Sequence, residues 1–336
     1  MNKKVILVTG GAGYIGSHVC KALKNSGFIP LTYDNLSSGN IGAVQWGAFE
    51  QGDIRDQENL SAIINKYKPI AIMHFASLIQ VGDSVVNPAD YYSNNVLGSY
   101  NLLEAARENS IKHIVFSSTA AVYGIPTVKL IKESSTLSPI NPYGHTKLTM
   151  ESMARDYAHA YGMHNAILRY FNAAGADLDA DTGSAYPRDT HIIPLLMQVA
   201  AKTMPEIKIF GTDYDTEDGS AVRDYIHVKD LADAHVKSLE YILEHDQSIT
   251  LNLGTNCGHS VKEVIECVRS VTKENIKSVE CDRRQGDPEI LVADASKARE
   301  LLGWNPEYSD LETIISSAWK WKCKQLENNV VNVGAK

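Results

Sequence analysis

Five short runs of mostly apolar residues recur along the first half of the chain, separated by polar stretches with helical spacing. The runs lack a strict alternation of apolar and polar positions, which is typical of strands buried on both faces of a parallel sheet. The stretches between them, such as "IGSHVCKALKNSG", have the pattern of helices. This β-α-β alternation predicts a doubly wound, Rossmann-type parallel α/β sheet. The predicted strands cover residues 4–10, 29–34, 70–76, 113–119 and 165–171.

The pattern becomes less regular in the second half of the chain, where loop-rich stretches such as "DLDADTGSAYPRDTH" appear. A length of 336 residues is also long for one domain,. We therefore expect a main domain over residues 1–174 and a smaller substrate-binding α/β domain over residues 175–330. Some segments of the second part are expected to return to the main sheet. Residues 331–336 are predicted to be a loose tail.

Charge and cysteine content exclude several classes of protein. The net charge of −8 argues against nucleic acid as a partner, because nucleic-acid binders concentrate Lys and Arg on one face,. The apolar run from Val5 to Val8 is too short for a membrane span or a signal-peptide core. Five cysteines without a C-x-x-C spacing suggest neither disulfides nor a zinc site, so no metal is expected,. These features favour the reducing cytoplasm.

A glycine-rich segment, "TGGAGYIGSH", directly follows the first predicted strand and contains Gly10, Gly13 and Gly16. The first glycine permits a tight turn, the second lets a pyrophosphate approach, and the third lets helix and strand pack closely. The N–H groups at the start of the following helix would bind phosphates. A tight turn without a ligand is the alternative for the loop alone.

Asp34 favours the dinucleotide interpretation. It ends the second predicted strand, roughly 20 residues after the glycine loop, where a carboxylate holds the ribose hydroxyls,. Because a carboxylate repels a 2′-phosphate, the sequence predicts NAD rather than NADP as the cofactor.

The segment "NPYGHTKL" places Tyr143 and Lys147 four positions apart in a stretch with helical spacing, so their side chains share one face,. Making a tyrosine a base near neutral pH requires about 4 kcal/mol of favourable interaction with the phenolate. A neighbouring ammonium and the positive ring of an oxidised nicotinamide can supply it. A Tyr/Lys pair packed on a surface is the alternative. Ser117, Ser118 and Thr119 end the fourth predicted strand, where a hydroxyl can share a proton with Tyr143.

Ordered blocks along nearly the whole chain resemble the extended short-chain dehydrogenase/reductase superfamily and, within it, the UDP-galactose 4-epimerases. The resemblance implies an isomerase that oxidises a UDP-sugar at C4 with tightly bound NAD, lets the 4-keto sugar rotate and returns the hydride to the other face. UDP-glucose and UDP-galactose are the expected substrates. The blocks are "VTGGAGYIGSH", "DNLSSG", "GDIRD", "HFASLIQVGDSV", "YYSNNVLG", "FSSTAAVYG", "PYGHTK", "LRYFNAAGA", "IFGTDYDTEDGSAVRDYIHVKDLADAHV", "LNLGT" and "RRQGDPEILVADASKARELLGW".

The same resemblance implies which residues form the sites. Tyr143 and Lys147 are the expected catalytic pair, and Thr119 can relay the proton. In the NAD site Asp34 and Asn35 hold the ribose region, Asp53 and Ile54 contact the adenine, and Phe75 and Ala76 line the pyrophosphate. The other expected NAD residues are Gly10, Gly13, Tyr14, Ile15, Gly16, Asn94, Ser117, Tyr143, Lys147 and Phe171. The expected UDP-sugar residues are Thr119, Tyr143, Asn172, Phe210, Arg223, Arg284, Asp287 and Leu291.

Other activities on this framework stay open to different degrees. A 4,6-dehydratase is disfavoured because Ala120 and Ala121 occupy the positions of its Asp-Glu pair. A UDP-N-acetylglucosamine 4-epimerase is a closer alternative, since Leu291 has intermediate bulk at a position that acts as a size gate in the family. UDP-xylose/UDP-arabinose epimerisation is a weaker one. A non-catalytic NAD sensor would not need Tyr143 with Lys147, and a net oxidoreductase would release NADH.

The sequence departs from the family pattern at two positions, and two of its histidines have no predicted role. Ile79 stands where some epimerases place a lysine near the cofactor, and Thr119 stands where many have serine. His191 and His227 are left without a role, because packing or capping is commoner than metal binding for such residues. The family also implies a homodimer, with residues 88–110 and 145–161 as candidate interface segments.

Overall fold

The computed structural model describes residues 4–186, 189–284 and 286–334. Seven parallel strands form the central sheet, which confirms the predicted doubly wound fold,. The strands are β1 (Val5–Thr9), β2 (Ile29–Asp34), β3 (Ala48–Gln51), β4 (Ala71–His74), β5 (His113–Thr119), β6 (His164–Tyr170), β7 (Asn172–Ala174), β8 (Ile207–Phe210), β9 (Val222–Arg223), β10 (Tyr225–His227), β11 (Ile249–Leu253), β12 (His259–Ser260), β13 (Ser278–Cys281) and β14 (Ile290–Leu291). The central sheet has the order β11-β6-β5-β4-β1-β2-β3.

The helices cover both faces of this sheet. A π-helical stretch over Tyr92–Leu97 joins α4 to α5. The helices are α1 (Tyr14–Asn25), α2 (Gln57–Tyr67), α3 (Val81–Val86), α4 (Pro88–Tyr91), α5 (Gly98–Glu108), α6 (Pro142–Tyr161), α7 (Ile192–Ala200), α8 (Val228–His245), α9 (Val261–Thr272), α10 (Ser296–Leu302) and α11 (Leu311–Gly334).

Alternate residues of β1, β4, β5 and β6 enter two separate cores. Ile6 and Val8 of β1 pack with α1 and α8 on one face of the sheet. Val5 and Leu7 pack with α2, α5 and α6 on the other face. Burial on both faces explains why these strands are continuous apolar runs rather than alternating ones. The carboxyl ends of all seven strands therefore form one edge between the two helical layers, where ligands of such folds bind.

The second half of the chain contributes to two structural units. Helices α7, α9 and α11 share an apolar core of their own with β8 and β10. By contrast, β11 extends the central sheet beside β6, and α8 packs against α1. Helix α11 continues to Gly334, so residues 331–334 are helical where we expected a loose tail, and residues 335–336 lie outside the described ranges. None of the helices described is both long and apolar enough to cross a membrane.

Candidate active site

The glycine loop connects β1 to α1 in a conformation that only glycine permits. Gly10 has a φ of 74°, and a Cβ there would lie 2.5 Å from the backbone N of Ala76,. A Cβ on Gly16 would lie 2.3 Å from the carbonyl oxygen of Gly10. Gly13 is the N-cap of α1 and provides no capping side chain, so the first N–H groups of the helix remain available to a phosphate,.

Asp34 lies at the carboxyl end of β2 and is only 9% exposed. Its carboxylate accepts hydrogen bonds from the backbone N–H of Ala12 at 3.1 Å and of Leu36 at 2.8 Å. Burial raises its pKa, and these two hydrogen bonds oppose that change,. The carboxylate also lines the cleft beside the glycine loop, where it can accept from ribose hydroxyls,.

Two adjacent residues at the predicted adenine end of the site, Asp53 and Ile54, have different surroundings. The carboxylate of Asp53 accepts from Asn35 Nδ2 at 2.9 Å and from two nitrogens of Arg55 at 2.9 and 2.7 Å. The hydrogen bond from Arg55 lowers the pKa of Asp53. The adjacent Ile54, not Asp53, lines the cleft. Asp53 therefore fixes the loop that places Ile54 on the cleft.

The catalytic candidates meet at the carboxyl edge of the sheet. Helix α6 starts at an N-cap, Asn141, whose side chain accepts from Gly144 N–H, and this cap orients the first turn that carries Tyr143,. Tyr143 hydrogen-bonds the side chain of Thr119 at the end of β5. Lys147 Nζ donates to the carbonyl oxygen of Ser117 at 2.8 Å. Its ammonium lies 6.0 Å from the centre of the Tyr143 ring.

Burial shifts the pKa of both members of this pair toward the neutral form. It raises the pKa of Tyr143 to about 12, although the hydrogen bond with Thr119 acts in the opposite direction,. Burial lowers the pKa of Lys147 to about 7, and the charge of Glu151 opposes that change. The neighbouring lysine therefore does not by itself produce the phenolate that the sequence argument required. A Tyr143 phenolate near neutral pH would require a further positive charge beside its ring,.

A buried ion pair fixes α6 to the sheet one turn after Lys147. Glu151 on α6 accepts from Arg169 Nε at 2.8 Å and from the terminal nitrogen at 2.6 Å, with both side chains at most 3% exposed. Ser118 Oγ also donates to Glu151, at 2.6 Å. Because Arg169 is on β6 and Ser118 is on β5, these bonds fix the position of α6 relative to both strands.

The predicted NAD residues form one continuous wall. The cleft they line has a volume of about 380 Å³. Of the sixteen predicted positions, Asp53 and Lys147 do not line the cleft, but Lys147 donates hydrogen bonds to two lining residues, Ser77 and Ser117. The lining residues are Gly10, Gly13, Tyr14, Ile15, Gly16, Asp34, Asn35, Ile54, Phe75, Ala76, Asn94, Ser117, Tyr143 and Phe171.

The predicted UDP-sugar residues form two groups. Thr119, Tyr143, Asn172, Asp287 and Leu291 line the same cleft as the NAD residues. The other three stand outside this lining but beside it. Arg223 is hydrogen-bonded to Asp287, and the exposed Arg284 guanidinium stacks 3.8 Å from the centre of the Phe210 ring.

Several cleft residues were not expected from the sequence. His191 lines the cleft. Helix α11 reaches the same cleft through Trp321, whose indole N–H donates to the carbonyl oxygen of Ser184 at 2.8 Å. No local motif marked these positions, because they meet only in the folded chain. His227, in contrast, caps α8 by accepting from Lys229 N–H at 3.0 Å.

The donor set fits a dinucleotide. The loop at Gly10 and Gly16 has no room for side chains, α1 offers free N–H groups, and Asp34 supplies a buried carboxylate,. Ala120 and Ala121 line the cleft next to Thr119, so no carboxylate stands at the positions that a dehydration would require.

Comparison with known proteins gives a consistent result. The family model described as GDP-mannose 4,6 dehydratase matches residues 7–317. UDP-glucose 4-epimerase of Rhizobium meliloti is 49% identical over 97% of this chain and 99% of its own. The crystal structure of UDP-glucose 4-epimerase from Brucella ovis in complex with NAD has a TM-score of 0.93 and 46% identity, and covers 94% of this chain and 98% of that one. The UDP-Glc/GlcNAc 4-epimerase of Campylobacter jejuni has a TM-score of 0.85 and 41% identity, with 96% and 99% covered.

These matches and the cleft define an extended short-chain dehydrogenase/reductase. Within that superfamily, the chain belongs to the UDP-glucose 4-epimerase family. The resemblance predicted from the sequence is confirmed.

Proposed function

We propose that this chain interconverts UDP-glucose and UDP-galactose by transient oxidation at C4 with tightly bound NAD. The observation that carries the proposal is the meeting of Tyr143, Thr119 and the glycine loop in one cleft, with Lys147 directly behind it. Full-length relatives named UDP-glucose 4-epimerase, one of them crystallised with NAD, support the same function.

Different residues of the chain bind the pyrophosphate and the adenosine ribose of the cofactor. Gly13 and the first turn of α1 hold the pyrophosphate, and Asp34 binds the adenosine ribose,. The negative Asp34 selects NAD over NADP. When bound, oxidised nicotinamide supplies an acceptor for the C4 hydride and a positive charge beside Tyr143.

Tyr143 is the base that removes the proton from the sugar 4-hydroxyl, directly or through Thr119. Lowering its pKa from about 12 to 7 needs about 7 kcal/mol of favourable interaction with the phenolate,. Lys147 in its charged form contributes part of this across the 6.0 Å between its Nζ and the ring centre,. Tyr143 then returns the proton when the 4-keto sugar is reduced on its other face.

The substrate is held by its nucleotide end and left free at its sugar. The guanidinium groups of Arg223 and Arg284 bind the diphosphate through forked hydrogen bonds, and Phe210 supports Arg284 by stacking,. Asp287 positions Arg223 and can accept from a uridine ribose hydroxyl. This division lets the keto sugar rotate while UDP stays in place.

The second candidate activity is the epimerisation of N-acetylated sugars, and it depends on the size of the side chain at Leu291. This residue lines the cleft and belongs to β14, which pairs with β9 so that Leu291 lies opposite Arg223. Its bulk is intermediate between the large and small residues expected at a size gate. Replacing Leu291 with Tyr should suppress epimerisation of UDP-N-acetylgalactosamine selectively, whereas unchanged rates on both sugars would refute the gate.

A cytoplasmic homodimer completes the proposal. The segments 88–110 and 145–161 expose large apolar side chains at Tyr92, Leu97, Tyr100 and Tyr161. Exposed apolar side chains clustered on neighbouring helices support a subunit interface. All five cysteines are free, which supports a reducing compartment,. The similarity to UDP-glucose 4-epimerases supports a role in galactose metabolism.

The direct test is incubation of the purified protein with UDP-galactose, UDP-N-acetylgalactosamine and UDP-arabinose in separate reactions. Chromatography should resolve UDP-glucose as the main product from the first. NADH absorbance in the medium separates an epimerase from a net oxidoreductase, because an epimerase retains its cofactor and releases no stoichiometric NADH. A 4-keto-6-deoxy sugar as product would indicate a dehydratase.

A further inference from the structure

A cluster of two histidines and one aspartate lies at the amino edge of the central sheet, opposite the catalytic cleft. His113 begins β5 and His164 begins β6, and the two residues are paired in the register of these strands. Their rings are stacked with centres 5.4 Å apart. Asp246 follows α8 and ends it in a left-handed conformation that turns the chain toward β11.

The ligand atoms of this cluster have the spacing of a metal site. Asp246 Oδ1 lies 2.7 Å from His113 Nε2 and 3.7 Å from His164 Nε2. One ligand atom from each of the three residues lies within 4.8 Å of the other two. In tetrahedral zinc sites with bonds of about 2.1 Å, neighbouring ligand atoms are about 3.4 Å apart. Small rotations of exposed Asp246 can therefore bring all three atoms into range of one ion.

The backbone holds the three ligands in a fixed relation. His164 N–H donates to the carbonyl oxygen of Lys112 at 2.7 Å, which locks the starts of the two strands together. The backbone N–H of the next residue, Asn165, donates to Ser248 Oγ at 2.9 Å, which ties the turn after Asp246 to β6. The histidine side chains are 17% and 22% exposed, so an ion can enter from solvent.

We propose that His113, His164 and Asp246 bind a divalent transition-metal ion, with water at the remaining position. Two imidazole nitrogens and one carboxylate oxygen favour Zn²⁺ over Mg²⁺, which prefers oxygen ligands. The ion joins β5, β6 and the α8–β11 turn at the edge away from the chemistry. Its role is to stabilise the fold rather than to act on substrate.

Calorimetric titration of tag-free protein with ZnCl₂ tests the site, with MgCl₂ as the comparison. One Zn²⁺ per chain should bind and raise the Tm, and Mg²⁺ should not. His164→Gln and Asp246→Asn should each weaken Zn²⁺ binding more than about tenfold. The matched control is His245→Gln, which removes the exposed histidine next to Asp246 and should leave the affinity unchanged.

Co²⁺ absorption gives a second readout, because its bands report nitrogen and oxygen ligation. Epimerase activity should be retained in all three variants, which shows that they fold. Failure of the wild-type protein to bind Zn²⁺ would overturn the proposal and leave a hydrogen-bonded His–Asp pair. Equal Zn²⁺ affinity in wild type, His164→Gln and Asp246→Asn would also overturn it.

Discussion

Burial shifts the pKa values of the two candidate catalytic side chains, Tyr143 and Lys147, in opposite directions. It raises the pKa of Tyr143 to about 12 and lowers that of Lys147 to about 7. In both residues, burial therefore stabilises the neutral form relative to the charged form. Thr119 and Glu151 oppose these changes without cancelling them. A base that becomes active only when a positive cofactor is present cannot act on sugar alcohols before the oxidant is in place. In the proposed mechanism, this dependence couples proton removal to hydride transfer.

Lys147→Met should lower kcat at least tenfold and yet stabilise the protein. The folded chain buries an amine whose pKa falls from 10.5 to about 7, so at neutral pH the unfolded chain binds more protons,. Methionine removes this cost and loses hydrogen bonds to Ser77 and to the carbonyl of Ser117. We expect a net gain of about 1–3 kcal/mol in the free energy of unfolding.

The pH dependence of that gain follows from the direction of the shift. Wild-type stability from this group rises as pH increases from about 7 to 10.5, because only the unfolded chain is still protonated there,. The advantage of Lys147→Met should therefore be largest at or below pH 7 and small near pH 10. Urea denaturation at several pH values measures it. A variant that is less stable than wild type at pH 7 would contradict this account.

At the scale of elements, the position of α6 depends on a buried ion pair with β6. Arg169→Met leaves Glu151 buried without its main partner and should cost about 3–5 kcal/mol,. Arg155→Ala is the matched control, because Arg155 contacts the same Glu151 at 3.2 Å but is 45% exposed. That control should cost no more than about 1 kcal/mol. If urea denaturation gave the same loss in the free energy of unfolding for Arg169→Met and Arg155→Ala, the buried pair would contribute no more than the exposed one, and this account would be contradicted.

The turn between β1 and α1 gives a second test at this scale. Gly16→Ala places a Cβ 2.3 Å from the carbonyl oxygen of Gly10 and should displace the phosphate-binding loop. The purified variant should contain little NAD. Gly82→Ala in α3 adds a Cβ to open space and serves as the control, which should retain NAD at the wild-type level. NAD released by denaturation and quantified per chain distinguishes the two.

At the scale of the whole molecule, the central sheet was predictable from sequence and the completed cleft was not. Buried apolar runs identified five of the seven strands of the sheet. β3 was missed because its residues are half-buried or exposed and lack that pattern. β11 was covered only by the general expectation that some later segments return to the main sheet. His191 and Trp321 reach the cleft from distant segments of the chain. Residues so far apart in sequence form no local motif, so the spacing of residues along the chain could not predict that they meet. The glycine loop and the Tyr143–Lys147 pair were found because their spacing is set within one turn or one helix.

The first and second halves of the chain both contribute to one cleft. The loop after β1, together with β2, β5 and α6, carries predicted cofactor-binding and proton-transfer residues, and residues of β14 and α11 line the same cleft. Such an arrangement can anchor UDP on one side while the sugar turns against the other. The proposed retention of the cofactor and rotation of the intermediate rely on this arrangement, and in the proposed mechanism both half-reactions depend on Tyr143.

The most direct test is the rate of UDP-galactose conversion by Tyr143→Phe with its bound NAD quantified. The account predicts a loss of about 10²–10⁴ in kcat with NAD content and Tm preserved, because phenylalanine fills the ring volume but carries no proton. Conversion at the wild-type rate by a fully NAD-loaded Tyr143→Phe protein would contradict the account.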